Sequence, residues 1–577
     1  MKLNNILTIS ALASLALAGC DDMFEPNIEQ HPDFDQLLTN PSNYYGLLMT
    51  PYSMFNDGNT FYSNRIHEDL STSDFYSNNL TSNWLLMGRG NWTTKENGNP
   101  VDKWADVRKS IQYINLFLKS MDQVTWSKDA TTNEEFKQRL TGEAYALRGI
   151  HNFFFLRAHA GYVDGDSRLM GIPILTEPED VNSDFNIPRQ DFKTCIDQIM
   201  TDLNEALKYL PDEYKGEDLV NGQGRNGLIN GTIVKAVKSQ VALMAASPLY
   251  ADASGITWKQ AADYVAEVLK GHTVVPDGNT WYCHTEEING FTAGALPPEV
   301  IWRGDRSGTD DSGYESMCFP PSLNGNGQMN PTQNLVDAFP MANGYPITES
   351  GSGYDPKHPY ANRDPRLDLY IIHDGSQFKG GTINTCVNNS DNSDGLNKET
   401  DKSTRTGYYM KKFLNEEVGL ETGKVNGRRH YKARIRYTEL FLNYAEAQNE
   451  AEGPQSAGSL GMSPYDVVKA IRARGGITND QYLESIKSDK DKMRALIHNE
   501  RRIELMGENF LFWDLRRWKE PINETVNGIK ITASGSDRTY EVFKIDDLRF
   551  GDHMYFGPIP ETEVLKWSNL KQNKGWE

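Results

Sequence analysis

Residues Asn499–Trp518 read NERRIELMGENFLFWDLRRW, and the spacing of two residue classes in this stretch decides the fold. Ile503, Met506, Phe510 and Trp513 recur at intervals of three and four, which is the apolar stripe of a helix. Glu500, Arg501, Arg502, Glu504, Glu508, Asp514, Arg516 and Arg517 alternate in sign at helical spacing. Charges this close to an apolar stripe must pair, because an isolated buried charge costs several kcal/mol. The spacing predicts one long helix over roughly 490–518, paired internally as a scaffold element.

The same periodicity extends upstream. Val107, Ile111, Ile114 and Leu118 form one stripe, and Phe136, Leu140, Ala144, Leu147 and Ile150 form another. Gly142, Ala144, Ala146 and Gly149 leave room for a second helix to approach. Further helices are expected near 192–210, 228–246 and 258–269, then from Arg434 and from Ser463-Pro464. In the last of these, serine suits the N-cap, proline the first helical position, and Asp466 the capping-box spacing. Consecutive helices of this length predict a mainly α fold and suggest stacked, tetratricopeptide-like helical hairpins, while the irregular period by itself supports only a helical, repeat-like scaffold. Between 271 and 433, Gly, Pro, Asn and Asp clusters separate short apolar pieces, as in a large loop-rich variable region.

At the N-terminus, Lys2 precedes a short apolar run, Ile6 to Leu17, which is too short to span a bilayer and fits a signal peptide. The run closes in Leu17-Ala18-Gly19-Cys20, which resembles a bacterial lipobox, with Cys20 as the acylated lipid anchor. Asp21-Asp22 resembles the acidic export signal of Bacteroidetes-type surface lipoproteins. The expected organisation is a lipoprotein signal peptide over 1–19, an N-terminal helical region over 20–270 and a C-terminal region over 271–577 that carries the insertion 271–433.

Composition narrows the function. The 577 residues carry a formal net charge of −20, which repels phosphate backbones and argues against nucleic acid. Mean hydropathy of −0.61 describes a water-exposed globular body. Cys195, Cys283, Cys318 and Cys386 match no C-x-x-C spacing, and isolated apolar thiols are expected. GQGRNG at Gly222–Gly227 follows a polar stretch instead of a strand, so it reads as a turn and not a dinucleotide site. HEDL at His67 lacks the second histidine of a zinc-protease motif, and the asparagine-rich run from Asn388 places its glycine wrongly for an EF-hand. No cofactor or metal is called for.

The opening stretch resembles the signature of the SusD/RagB family of Bacteroidetes nutrient-binding outer-membrane lipoproteins. GEAYALRGIHNFFFLRAHAGY, GIPIL, ALMAASPLY, PTQNLVDAFPMANGYPI, ANRDPRL, RYTELFLNYAEAQNE, FGPIPETEV and NLKQNKGW follow in the family's order, while the insert VDGDSRLM is longer than usual. The resemblance implies a non-enzymatic protein that captures oligosaccharide or polysaccharide. It also implies a tether through acylated Cys20 on the outer membrane, facing the exterior, and a partner SusC-like TonB-dependent transporter. A RagB-like peptide-binding protein is the close alternative, and a surface glycoside hydrolase a more distant one. In the family the ligand face is built by an early loop and by a variable loop before the PTQNLVDAF-like segment. The matching loops offer Asp74, Tyr76, Trp84, Arg89, Asn91 and Trp92, and then Arg303, Asp305, Arg306, Tyr314 and Phe319. Aromatic platforms beside planar polar groups suit sugar rings. Trp302 follows an apolar piece and is expected to be packed.

Overall fold

The apolar stripes become helices, and most are started by the residue that the sequence supplies for the purpose. The computed structural model describes residues 38–55, 66–274, 297–304, 312–388, 392–428 and 433–576. Cys20 and Cys283 lie outside these residues, so the lipobox does too. Among the described residues there are 17 α-helices. The principal ones are α1 (Pro41–Ser53), α2 (Trp104–Ser120), α3 (Ala130–His159), α4 (Phe192–Ala206), α5 (Gly231–Ala246) and α6 (Trp258–Leu269). After the loop-rich region come α7 (Tyr437–Glu452), α8 (Pro464–Arg474), α9 (Lys490–Glu504) and α10 (Leu511–Trp518). Asp129, Asp191 and Asn230 cap α3, α4 and α5 by accepting from backbone N–H groups two or three residues into each helix. Thr257 with Gln260, and Ser463 with Asp466, close full capping boxes on α6 and α8.

Neighbouring helices pack in chain order: α1 on α2, α2 on α3, α3 on α4, and α5 on α6. Across the loop-rich region α6 packs on α7, and α7 packs on α8 and α9. The small residues of α3 serve as expected. A Cβ on Gly142 would lie 2.6 Å from Leu210 Cγ, so glycine lets the turn that follows α4 approach this closely. The strands are mostly short antiparallel pairs: β1 (Phe75–Tyr76) with β3 (Asn330–Pro331), and β2 (Val300–Arg303) with β4 (Ala433–Arg436). The exception is a long hairpin of β5 (Thr525–Ser534) and β6 (Asp537–Asp547).

Two expectations are corrected. The helix predicted from Arg434 is a strand up to Arg436 and becomes helical only at Tyr437. Extended backbone lets Ala433–Arg436 pair with β2, and it aims the Arg436 guanidinium at Glu299 (2.9 Å) and Glu508 (2.8 Å). The helix predicted over 490–518 is broken in two. Gly507 (φ 72°) and Asn509 (φ 66°) take left-handed conformations between α9 and α10. The carbonyls freed by the break are used: buried Lys412 donates from Nζ to Glu504 O (2.9 Å) and Met506 O (3.0 Å).

Two large apolar cores result, beside a small cluster of Tyr76, Leu85 and Val526. The first is helical and includes Leu147, Leu203, Val237 and Phe441. The second lies under the loops and includes Phe319, Tyr409, Phe512 and Phe550. Helix α9 with its flanking turn supplies both, giving Met493, Ile497 and Leu505 to the first, and Ile503 and Met506 to the second. The paired charges run along this seam. Arg366 binds Asp364 (2.6 Å), Glu504 (2.8 Å) and Glu500, and Arg474 binds Glu504 (2.8 Å). Burial alone would push the Glu504 carboxyl up, but Arg474, Arg366 and Arg436 overcome it and hold it down at about 2. The scaffold reading of the opening stretch holds. Trp302 is fully buried, as expected, Cys195 and Cys386 are buried free thiols, and Cys318 is buried too.

Candidate functional site: a loop-built face over the second core

The early loop is anchored from below. Asp74 is 2% exposed and accepts from Arg502 Nε at 2.9 and 3.0 Å. Burial pushes its carboxyl up, and the Arg502 guanidinium opposes that shift. Two residues further on, at the end of β1, Tyr76 faces the long hairpin. Its hydroxyl accepts from Arg89, and Arg89 Nε donates to Asp546 at 2.6 Å. Burial raises the Tyr76 phenol.

The structure brings this loop and the 312–332 loop onto one body. β1 pairs with β3, Thr332 N donates to Asp74 O at 2.9 Å, and Asn78 Nδ2 donates to Asn326 O (2.8 Å) and Gly327 O (3.1 Å). The 312–332 loop closes on itself through Asn326 N to Ser316 O and Gln328 N to Met317 O, at 2.8 and 2.9 Å. The hairpin is pinned beside both: Arg549 N donates to Gly88 O at 2.8 Å, and Asn527 N to Asn334 Oδ1 at 2.9 Å.

The expected contact residues divide by environment. Trp92 does not fit the stacking role expected of it. It is 3% exposed, with Nε1 donating to Asn99 Oδ1 at 2.9 Å and its ring 5.0 Å from Trp576. Phe319 is fully buried, edge-on to Phe378 at 5.5 Å. Asp74 and Tyr76 are committed to Arg502, Arg89 and Asp546. In each case a polar or aromatic side chain that resembles a sugar contact in sequence serves as a fastener or a core residue. Trp84 sits at the boundary, 9% exposed, stacked on half-buried His67 at 5.4 Å and 12°. Arg89 and Tyr314 are half-buried, Tyr314 with its ring edge-on to Phe413 at 6.3 Å, and Asn91 is exposed. Arg303 is half-buried at the end of β2, opposite Ala433. Asp305 and Arg306 lie outside the described residues. Sequence reasoning missed His67, Phe413 and Asp546. The hairpin that carries Asp546 had a usable signal, alternating apolar residues on either side of Gly535.

Among the described residues no set of three or more His, Cys, Asp or Glu side chains could hold a metal ion. No helix among them is long and apolar enough to cross a membrane.

The body is mainly helical, with two loops and a hairpin joined over its second core, and comparison with known proteins says which family has this build. A family model described as the SusD family matches residues 298–576, and one described as starch-binding, associating with the outer membrane, matches 26–221. The chain belongs to the SusD/RagB family. The SusD-like protein P25 of Formosa agariphila is 23% identical over 444 residues, which is 72% of this chain and 70% of that protein. A SusD-like protein of Bacteroides fragilis shares the fold with a TM-score of 0.71 at 23% identity, covering 94% of this chain and 99% of its own. A SusD-like carbohydrate-binding protein of the same species gives 0.70 at 19% identity, covering 93% and 100%.

Proposed function

We propose that the chain is a cell-surface, glycan-binding lipoprotein that captures oligosaccharides without catalysing their cleavage. It passes them to a partner TonB-dependent outer-membrane transporter, and acylated Cys20 tethers it to the outer leaflet. The family's outer-membrane, starch-binding description and the carbohydrate-binding B. fragilis protein of the same fold support this reading. The observation that carries it is the joining of the 66–92 and 312–332 loops into one face, through β1, β3 and Asn78. A glycan lying over this face meets Arg89 and Asn91 as planar polar partners and Tyr314 as an aromatic ring.

Calorimetry with a panel of oligosaccharides and peptides tests it. Tyr314→Ala and Arg89→Ala should each weaken glycan affinity by about tenfold, equivalent to roughly 1.4 kcal/mol, with folding intact by circular dichroism. Native affinity in both folded variants would move the site elsewhere. Binding of peptides alone would change the ligand class, and product release from any oligosaccharide would make the protein an enzyme. Purification of the tagged protein from its host should recover a large outer-membrane β-barrel, and its absence counts against delivery to a transporter.

A further inference from the structure

On the helical side of the seam, between α3, α5, α7 and α10, lies a partly open cavity of about 100 Å³. Phe154, Phe510 and Trp513 give it aromatic walls, and Leu243 and Met244 apolar ones. Among its lining residues, Glu68 Oε2, Glu439 Oε2 and Trp513 Nε1 are buried polar atoms without a hydrogen-bond partner, and the buried Nε–H groups of Arg157 and Arg434 border the same space. Glu439 is 2% exposed and held firmly by one oxygen only. Its Oε1 accepts from Gln240 Nε2 (2.7 Å) and Asn443 Nδ2 (3.2 Å), and its Oε2 is left over. An unsatisfied buried polar atom costs about 1–3 kcal/mol, so these groups call for an occupant.

The chemistry of that occupant follows from the lining. Four acidic and four arginine side chains surround the space, which favours neither a cation nor an anion. The unpaired set is two carboxylate acceptors and one indole donor. Hydroxyl groups match it, because each both donates and accepts. C–H groups between hydroxyls match the aromatic and apolar walls. A void of ~150 Å³ admits a molecule of benzene's size, so the present space suits two or three carbons with their hydroxyls. We propose that this cavity is a binding site for a small neutral polyol, up to glycerol in size. Burial pushes the Glu439 carboxyl up to about 7, so near neutral pH it can also donate to such a ligand.

The test uses glycerol on the full protein. Saturation-transfer NMR should show saturable binding, with a dissociation constant on the order of millimolar. Trp513→Phe keeps a ring and removes the N–H, and should weaken binding about tenfold. Crystals grown without polyol and then soaked in glycerol give a readout that needs no variant: a polyol in hydrogen-bond contact with Trp513 Nε1 supports the site. Ordered water only in the soaked cavity, a signal that never saturates, or unchanged affinity in a folded Trp513→Phe variant overturns it. Oligosaccharide affinity measured in parallel reports on the loop face alone, so failure of either site is distinguishable from failure of the other.

Discussion

At the scale of single residues, the same side-chain type does opposite work depending on what lies beneath it. Trp92 and Tyr314 look alike in sequence, as aromatic residues in polar loops. Trp92 is buried against Trp576, Phe512 and Phe550, whereas Tyr314 keeps part of its surface. Trp92→Ala should therefore cost about 3–5 kcal/mol of stability, read as a lower denaturant midpoint, while exposed Asn91→Ala leaves the midpoint unchanged. An unshifted midpoint for Trp92→Ala would show that the loop is not supported by the second core. Glu504 makes the same point for charge. It neutralises Arg366 and Arg474 where no water reaches them, so Glu504→Gln leaves buried guanidiniums short of a partner and should cost about 3–5 kcal/mol. Such roles are not legible in sequence, because burial is set by residues hundreds of positions away: Asp74 meets Arg502, and Arg89 meets Asp546.

At the scale of elements, helices with a clear stripe and a cap were legible, and their interruptions were not. The pattern of 490–518 is continuous, yet the chain breaks after Glu504 because tertiary partners reward the break. Lys412 takes the freed carbonyls, and Asn509 N donates to Asp69 at 3.0 Å. Gly507 is the residue that permits it. A Cβ there would meet Met410 Cε at 3.0 Å and Ile66 Cδ1 at 3.2 Å, on a backbone that L side chains avoid. Gly507→Ala should destabilise by about 1–2 kcal/mol or more by chemical denaturation, and no loss would mean the turn relaxes freely. The strand at 433–436 escaped the sequence reading for a related reason. Its partner β2 lies more than a hundred residues earlier, and neither strand is long enough to announce itself by alternation.

At the scale of the whole molecule, the charged seam between the cores sets how stability responds to pH. Burial raises the Glu446 and Glu508 carboxyls, but Arg517 and Arg436 respectively outweigh it, and both are held at about 2, below the ordinary 4.5. Their contribution is present above about pH 4.5 and is lost as pH falls through 2. Glu439 works in the opposite sense. Burial lifts it from 4.5 to about 7, so its ionisation removes stability as pH rises across that window. Unfolding free energy should fall steeply below about pH 4.5, and Glu439→Gln should flatten the slope between 4.5 and 7. An unaltered slope would mean that Glu439 is solvated in the native protein. The proposed tether is tested at the same scale: Cys20→Ala should release the protein from the membrane fraction when no transporter is present to hold it, and retention there would count against an acylated Cys20. By itself the sequence determined the helical scaffold, the paired-charge character of the 499–518 stretch and the family, because periodicity, caps and ordered motifs are local. Only the tertiary structure decided which loop residues face outward, where the last long helix breaks and how the two cores share it. Those outcomes depend on contacts between distant segments, and no single stretch of chain records them.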